Sequence, residues 1–353
     1  MTDGRGPSLN RRTLLGAAAI AGVGIAGIGG FLFSEDIVGP WRLTARRMVD
    51  RLEATAGGRF PGYRRNHAKG VAVAGYFESN GAGAEVCEAS AFREGRYRLA
   101  GRFSLGGGNP QMPDDMEAPR GLGLQMFLPG SEQWRLAMIN IPVFLDATPE
   151  DFYTRTLAFA PDPATGKPDP ARMKEHIASH PATAAALEII GSKPPAPTFA
   201  GSTFYGLNAF ECTDHNGRTV PVRWHLEPED RMPSNPSGAL FDPLVSEIKN
   251  GPVRWTMVLV VGEPGVDPTD DATKPWPPER RRIPVGTVVL DQVRTEASEN
   301  VREVNFDPLV LPKGIAPSDD PLLQARSAAY AESFRRRAGE DGGVGAVNAE
   351  AAR

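Results

Sequence analysis

The sequence predicts an α+β fold in which eight antiparallel strands close into a β-barrel with α-helices at its flanks. Two patterns carry that expectation. Short β-branched and aromatic runs recur at close spacing between loops rich in Gly, Asn, Pro and Asp, the arrangement of closed all-β sheets. In Tyr97-x-Leu99-x-Gly101-x-Phe103 the alternation has period two, so one face meets a core while Arg98, Arg102 and Ser104 share the other. The strands expected are 71–77, 97–105, 121–128, 134–144, 209–213, 219–226, 253–262 and 285–292. Eight are enough to close a barrel whose interior holds packed side chains or one ligand.

Taken in order, Asn10-Arg11-Arg12-Thr13-Leu14-Leu15 opens an uncharged, Gly/Ala/Ile-rich run over residues 14–33. A twin arginine before a weakly hydrophobic stretch is the pattern of a Tat export signal, and residues 1–35 are assigned to it. The run is long enough to span a bilayer and no Ala-x-Ala cleavage site stands near Ser34, so it can also serve as an anchor. The Tat machinery is then a partner, and the protein is periplasmic or otherwise extracytoplasmic. Residues 41–56 read as an amphipathic helix stopped by Gly57-Gly58, within a folded domain placed at 36–338. Residues 148–190 read as helical turns broken by Pro161, Pro163, Pro168, Pro170 and Pro181. Asp214-His215-Asn216-Gly217 is an Asn-Gly hairpin, 267–282 a loop of prolines and charges, and 320–337 the last helix. The Gly/Ala-rich tail 339–353 is expected to be disordered.

Composition excludes some functions. A chain of 353 residues, 41% hydrophobic, buries a substantial core, and a formal charge of −4 argues against a nucleic-acid partner. Cys87 and Cys212 lack any CxxC spacing; a disulfide is open to them in an oxidising compartment, and buried free thiols are the expectation. His176-x-x-x-His180 has the spacing of two metal ligands, but no Glu stands in the HExxH position and Pro181 ends the helix, which argues against a metal.

The chemistry concentrates at Arg64-Arg65-Asn66-His67-Ala68-Lys69-Gly70, which runs into the apolar strand at 71–77. His67 sits at the mouth of a buried strand, where a scaffold can aim it as an acid or base. A lone histidine is more often a loop or core residue, and the neighbours raise its standing. Arg64, Arg65 and Lys69 supply a positive field suited to an anionic ligand.

Further segments follow in a recognisable order: Arg102-Phe103-Ser104, Ala118-Pro119-Arg120-Gly121, Ile141-Pro142-Val143-Phe144, Phe306-Asp307-Pro308, and Arg326 with Tyr330. With Arg-x-x-His-Ala-Lys-Gly at their head they resemble the catalases over most of the chain, and most closely the small catalase-related peroxidases. The resemblance implies a catalase-like barrel core and haem b, not covalently attached because no Cys-x-x-Cys-His occurs. It implies that Tyr330 is the iron ligand and that Arg326, four residues earlier on the same helix face, stabilises its phenolate. It places Arg64, Arg102 and Arg337 at the haem propionates, and makes His67 the distal acid/base with Ser104 as its hydrogen-bond partner. Phe144 and Phe152 become the distal aromatics. Asn66 stands where a small apolar residue over the iron is expected. Ile139, three residues before Pro142, stands where full catalases carry an asparagine, and Asn140 is one residue off that position.

The implied function is a haem peroxidase that reduces hydrogen peroxide or organic hydroperoxides with a small organic reductant and has little catalase activity; a homodimer is compatible with it. The competing readings are a non-enzymatic barrel that stores or senses haem or another hydrophobic ligand, and a true catalase.

Overall fold

The strands of the molecule are β1 (Gly70–Ser79), β2 (Gly95–Leu105), β3 (Arg120–Phe127), β4 (Gln133–Ile139), β5 (Phe204–Tyr205), β6 (Phe210–Thr213), β7 (Thr219–Pro228), β8 (Val253–Val261), β9 (Arg282–Arg294) and β10 (Ile315–Pro317). They belong to a computed structural model that describes residues 43–114, 118–162, 164–229, 239–296, 300–343 and 345–351. The Tat-type segment at 1–35 lies outside the described residues, and among those residues no helix is long and apolar enough to cross a membrane.

Every strand pairing is antiparallel, and the ring runs β1-β2-β3-β4-β5-β7-β8-β9 and back to β1. The barrel therefore closes with eight strands, as expected, but one member differs. Residues 209–213, expected in the ring, form β6, which leaves β7 on the outside and carries β10. The eighth position is taken by the two residues of β5, too few to show a period in the sequence. The strand expected at 134–144 stops at Ile139, shortly before Pro142, which has no N–H to give a ladder.

One face of each strand fills the barrel. Val71, Val73, Leu99, Phe103, Leu122, Leu124, Leu136 and Met138 are buried there. The Phe103 ring lies 5.2 Å from Phe199, 5.7 Å from Phe204 and 5.9 Å from Trp255, so packed side chains occupy the interior. The opposite face carries Arg102 and Ser104, as the period of two requires, and with them Gly121, Gly123, Ala137 and Ile139.

Helix α1 (Ala45–Thr55) begins at Thr44, whose Oγ1 accepts the Arg47 N–H, and ends at Gly57 in the left-handed region. Next come α2 (Pro149–Ala158), α3 (Pro170–Ser179) and α4 (Pro181–Gly191). Pro170 and Pro181, expected to break helical turns, start helices instead, because the first helical residue has no N–H bond to lose. His176 and His180 stack at 3.8 Å, with His180 Nδ1 on the His176 carbonyl at 2.8 Å. Among the described residues no third ligand joins them. Helix α5 (Phe241–Asn250) buries Phe241, Leu244, Val245 and Ile248. Helix α6 (Pro321–Ala338), capped by Asp320, packs on α1 through Arg336, which pairs with Asp50 and Glu53. It reaches the outer face of the barrel through Arg326, which donates to the Ala137 carbonyl.

Beyond α6 the structure departs from the expected disorder. Glu340 pairs with Arg59 and Arg65 and accepts the Gly62 N–H, while Val347 and Ala349 join the core. Cys87 and Cys212 are free and buried; the Glu88 N–H donates to the Thr213 carbonyl beside them at 2.8 Å.

Candidate active site

His67 precedes β1 by three residues and has φ of 57°, a left-handed conformation that costs a non-glycine residue about 1 kcal/mol or more. Neighbouring groups enforce it. Asn66 Oδ1 accepts the His67 N–H at 3.0 Å and the Gly107 N–H at 2.9 Å, and Arg102 Nη1 donates to the His67 carbonyl at 2.8 Å. The Asn66 carboxamide oxygen is thus engaged with the backbone on both sides of the site. His67 Nδ1 lies 3.2 Å from Ser104 Oγ, and Ser104 Oγ donates to the Gly121 carbonyl at 3.5 Å. Ser104 and Gly121 face each other across β2 and β3. A Cβ on Gly121 would lie 2.8 Å from Ser104 Oγ and 2.9 Å from His67 Nδ1, so glycine is what admits the imidazole. Burial, together with the charges of Arg102, Arg326 and Arg64, pushes the His67 pKa down to about 3 and leaves the ring neutral.

Beside this histidine lies a cluster of buried cations. Arg64 donates to the Val301 and Val304 carbonyls, both at 3.0 Å, and lies 5.3 Å from the centre of the Phe306 ring. Arg102 pairs with Glu296 through two bonds, Nε to Oε1 at 2.6 Å and Nη2 to Oε2 at 2.9 Å. Arg337 gives Nη2 to the Val304 carbonyl at 3.3 Å, and its buried Nε and Nη1 have no partner among the described residues. Burial, then the Arg337 and Arg102 charges, hold Arg64 well below the usual guanidinium range. Burial and Arg102 bring Arg337 to about 10. Burial would raise the Glu296 carboxyl, but Arg102, Arg64 and Arg337 outweigh it and hold it low. Three guanidinium groups around one carboxylate leave two positive charges uncompensated, which is costly without a further anion. Arg65 and Lys69 do not add to this field as their sequence neighbourhood led us to expect. Arg65 is spent on Glu53 and Glu340, and Lys69 on Asp114.

The third part of the site is α6. Tyr330 is half-buried against Ala72, Val301 and Phe306. Phe306 packs on Gly123, where a Cβ would come within 2.9 Å of the ring. Arg326 donates to Asn208 Oδ1 and, at 3.3 Å, to the Ala137 carbonyl. Asn208 Nδ2 in turn donates to Asp320 Oδ2 at 2.7 Å, so the cap of α6 also fixes the arginine. Phe144 and Phe152 stack on each other at 6.1 Å and 9°. Asp146 pins Arg155, which lies over Phe152 at 5.3 Å.

Direct contacts therefore join His67 to Ser104 and Arg102, and Phe144 to Phe152, while charge links Arg64, Arg102, Arg337 and Glu296. Sequence reasoning did not single out Glu296, Asn208, Gly121 or Gly123 for a role. Gly121 at least stood inside a matched motif; Glu296 is one acid in a charged run. The ladder also fixes Ile139. It pairs with Gly121, which pairs with Ser104, and the β3–β4 register runs without a shift. Ile139 thus shares the face of Ser104, whereas Asn140 Oδ1 accepts the Arg120 N–H at 2.8 Å.

A profile of the catalase family matches residues 34–237 and 244–351. The chain is 35% identical over 329 residues to the catalase-related peroxidase of Synechococcus elongatus, covering 91% of this chain and 94% of that protein. It is 30% identical over 311 residues to the catalase-related peroxidase of Mycolicibacterium paratuberculosis, covering 86% and 97%. A crystal structure of a fungal catalase superposes with a TM-score of 0.70 over 86% of this chain and 65% of that one, at 23% identity, a likeness of fold.

Proposed function

The chain belongs to the catalase family and is a haem-dependent peroxidase, and from that premise we propose that a small organic donor supplies its electrons and that it releases little dioxygen. Proteins of this family bind haem, and the residues present fit haem b. Two uncompensated charges and the orphaned Nε and Nη1 of Arg337 suit a ligand with two carboxylates. Arg64, Arg102 and Arg337 would hold the propionates and Tyr330 the iron. Arg326, fixed by Asn208, is the cation that the family resemblance pairs with this tyrosine. When bound, haem supplies the redox chemistry.

The protein's own part is to place peroxide and move one proton. Ser104 gives its hydrogen to the Gly121 carbonyl and accepts Nδ1–H from His67, which leaves Nε2 with a free lone pair. Nε2 takes a proton from peroxide and returns it to the departing oxygen; the depressed pKa keeps it ready as a base. Phe144 and Phe152 wall the peroxide side against water. Export by the Tat route through residues 1–35 puts this activity outside the cytoplasm.

The preference for an organic donor over a second peroxide rests on one observation. Ile139, in register with Ser104, offers no hydrogen bond to orient a second peroxide, and Asn140 is committed to Arg120. Losing such a bond costs roughly 3 kcal/mol by analogy with oxyanion donors. An oxygen electrode decides it. Hydrogen peroxide alone should yield little dioxygen while a phenol or aromatic amine is oxidised, and vigorous dioxygen release would refute the donor preference.

A further inference from the structure

Glu296 has no part in the scheme above, yet among the described residues it is the carboxylate on which Arg64, Arg102 and Arg337 are all found to act. It lies two residues beyond the end of β9, where Arg294 pairs with Ala72, and Ala72 pairs with Arg102 on its other side. The ladder thus delivers an acid to an arginine 194 residues away. Both side chains are nearly sealed from water, at 3% and 10% exposure, so this is no surface ion pair. Arg302 and Glu303 on the neighbouring turn act on Arg337 with opposite signs, so they do not change the count. Without Glu296 the cluster would carry three like charges; with it, two.

We propose that Glu296 is a specificity-determining residue that sets the charge of the cradle at the value a dicarboxylate porphyrin neutralises. The proposal rests on the haem reading above and adds a role to that site. Two consequences distinguish it from a merely structural pair. A residue that only orients Arg102 weakens haem binding when removed. A residue that compensates a charge does the opposite, because its loss leaves a third guanidinium seeking an anion and widens the gap between ligands with and without carboxylates.

The test starts from haem-loaded protein. Haem is extracted, and the chain is reloaded with haem or with its dimethyl ester, which keeps the ring and iron but has no carboxylate. Release to an excess of a haem-scavenging apoprotein is followed by absorbance. In Glu296→Gln we expect slower loss of haem than in the wild type, and a free-acid to diester preference widened roughly tenfold or more, the size of one extra charge at short range. Glu296→Asp should keep the wild-type preference. If Glu296→Gln does not fold, the double variant Arg102→Gln with Glu296→Gln restores a charge of two without an unpaired partner, and its preference should return towards that of the wild type. Faster loss of haem from Glu296→Gln, or an unchanged preference, overturns the proposal, as does a double variant with no preference at all. A wild-type chain that takes up neither porphyrin removes the haem reading itself, and this inference with it.

Discussion

Replacing Gly121 with alanine tests the site without touching any group assigned to the chemistry. The new Cβ would lie 2.8 Å from Ser104 Oγ, 2.9 Å from His67 Nδ1 and 3.0 Å from His67 Cε1, where ordinary contact begins at about 3.4 Å. The ring must therefore retreat by roughly 0.5 Å. Such a movement takes the Ser104–His67 separation from 3.2 Å to about 3.7 Å, beyond a hydrogen bond. The imidazole then loses the partner that fixes its tautomer, and a displacement of this order costs on the order of 10²-fold in rate. Overpacking should cost about 1–3 kcal/mol of stability. Gly121 has no positive φ, so the change adds no backbone strain to confuse the result. The assay is peroxide-dependent oxidation of a phenol per haem, with haem content from absorbance and stability from a urea titration. We expect full haem content, a modest loss of stability and a rate lowered 10- to 100-fold. A rate within twofold of wild type would show that the Ser104–His67 bond does not govern proton transfer.

Two substitutions separate cofactor binding from proton transfer. His67→Ala should keep haem and lose about 10² to 10⁴ in peroxidase rate, the usual cost of a missing acid/base group, as single-turnover kinetics will show; Tyr330→Phe should instead lose the tyrosinate-type ferric spectrum, and its retention would remove Tyr330 as the ligand. A pH effect follows from His67, whose pKa is about 3 folded against about 6.5 unfolded. Between those values the unfolded chain binds the proton and the folded chain does not, so the haem-free protein should lose stability as pH falls from about 6.5 towards 3. Urea midpoints of wild type and His67→Gln at pH 7.5 and 5 measure it, and identical pH dependence would contradict the burial argument. Changing Arg11 and Arg12 to lysine should hold the protein in the cytoplasm; normal export of that variant, read by fractionation, would remove the Tat reading.

What the sequence revealed follows the range over which each feature is determined. The strand at 97–105 was visible because alternation is a local property, and the same alternation put Arg102 and Ser104 on the face away from the core. His67, Ser104 and Arg64 were singled out through a motif whose residues are near neighbours or recur in order. Glu296 was not, because its role arises only when β9 is laid beside β1, and no local pattern distinguishes it from the acids around it. The tail looked disordered from its glycines and alanines, but Glu340 finds Arg65, and two small apolar residues find the core. β6 has the pattern of a strand; which neighbour it takes is settled by the whole sheet.

The two-residue strand β5 gives the ring a distinctive response to temperature. Six of the eight joints are long ladders, ten paired residues between β1 and β2, whereas β5 shares one pair with β4 and two with β7. What secures it is the fully buried Phe204, whose ring packs against Phe103 and Trp255. Hydrophobic contacts weaken on cooling. The clasp of this barrel should therefore loosen in the cold before its ladders do, and the residue at its edge is Ile139, on the face that carries Ser104.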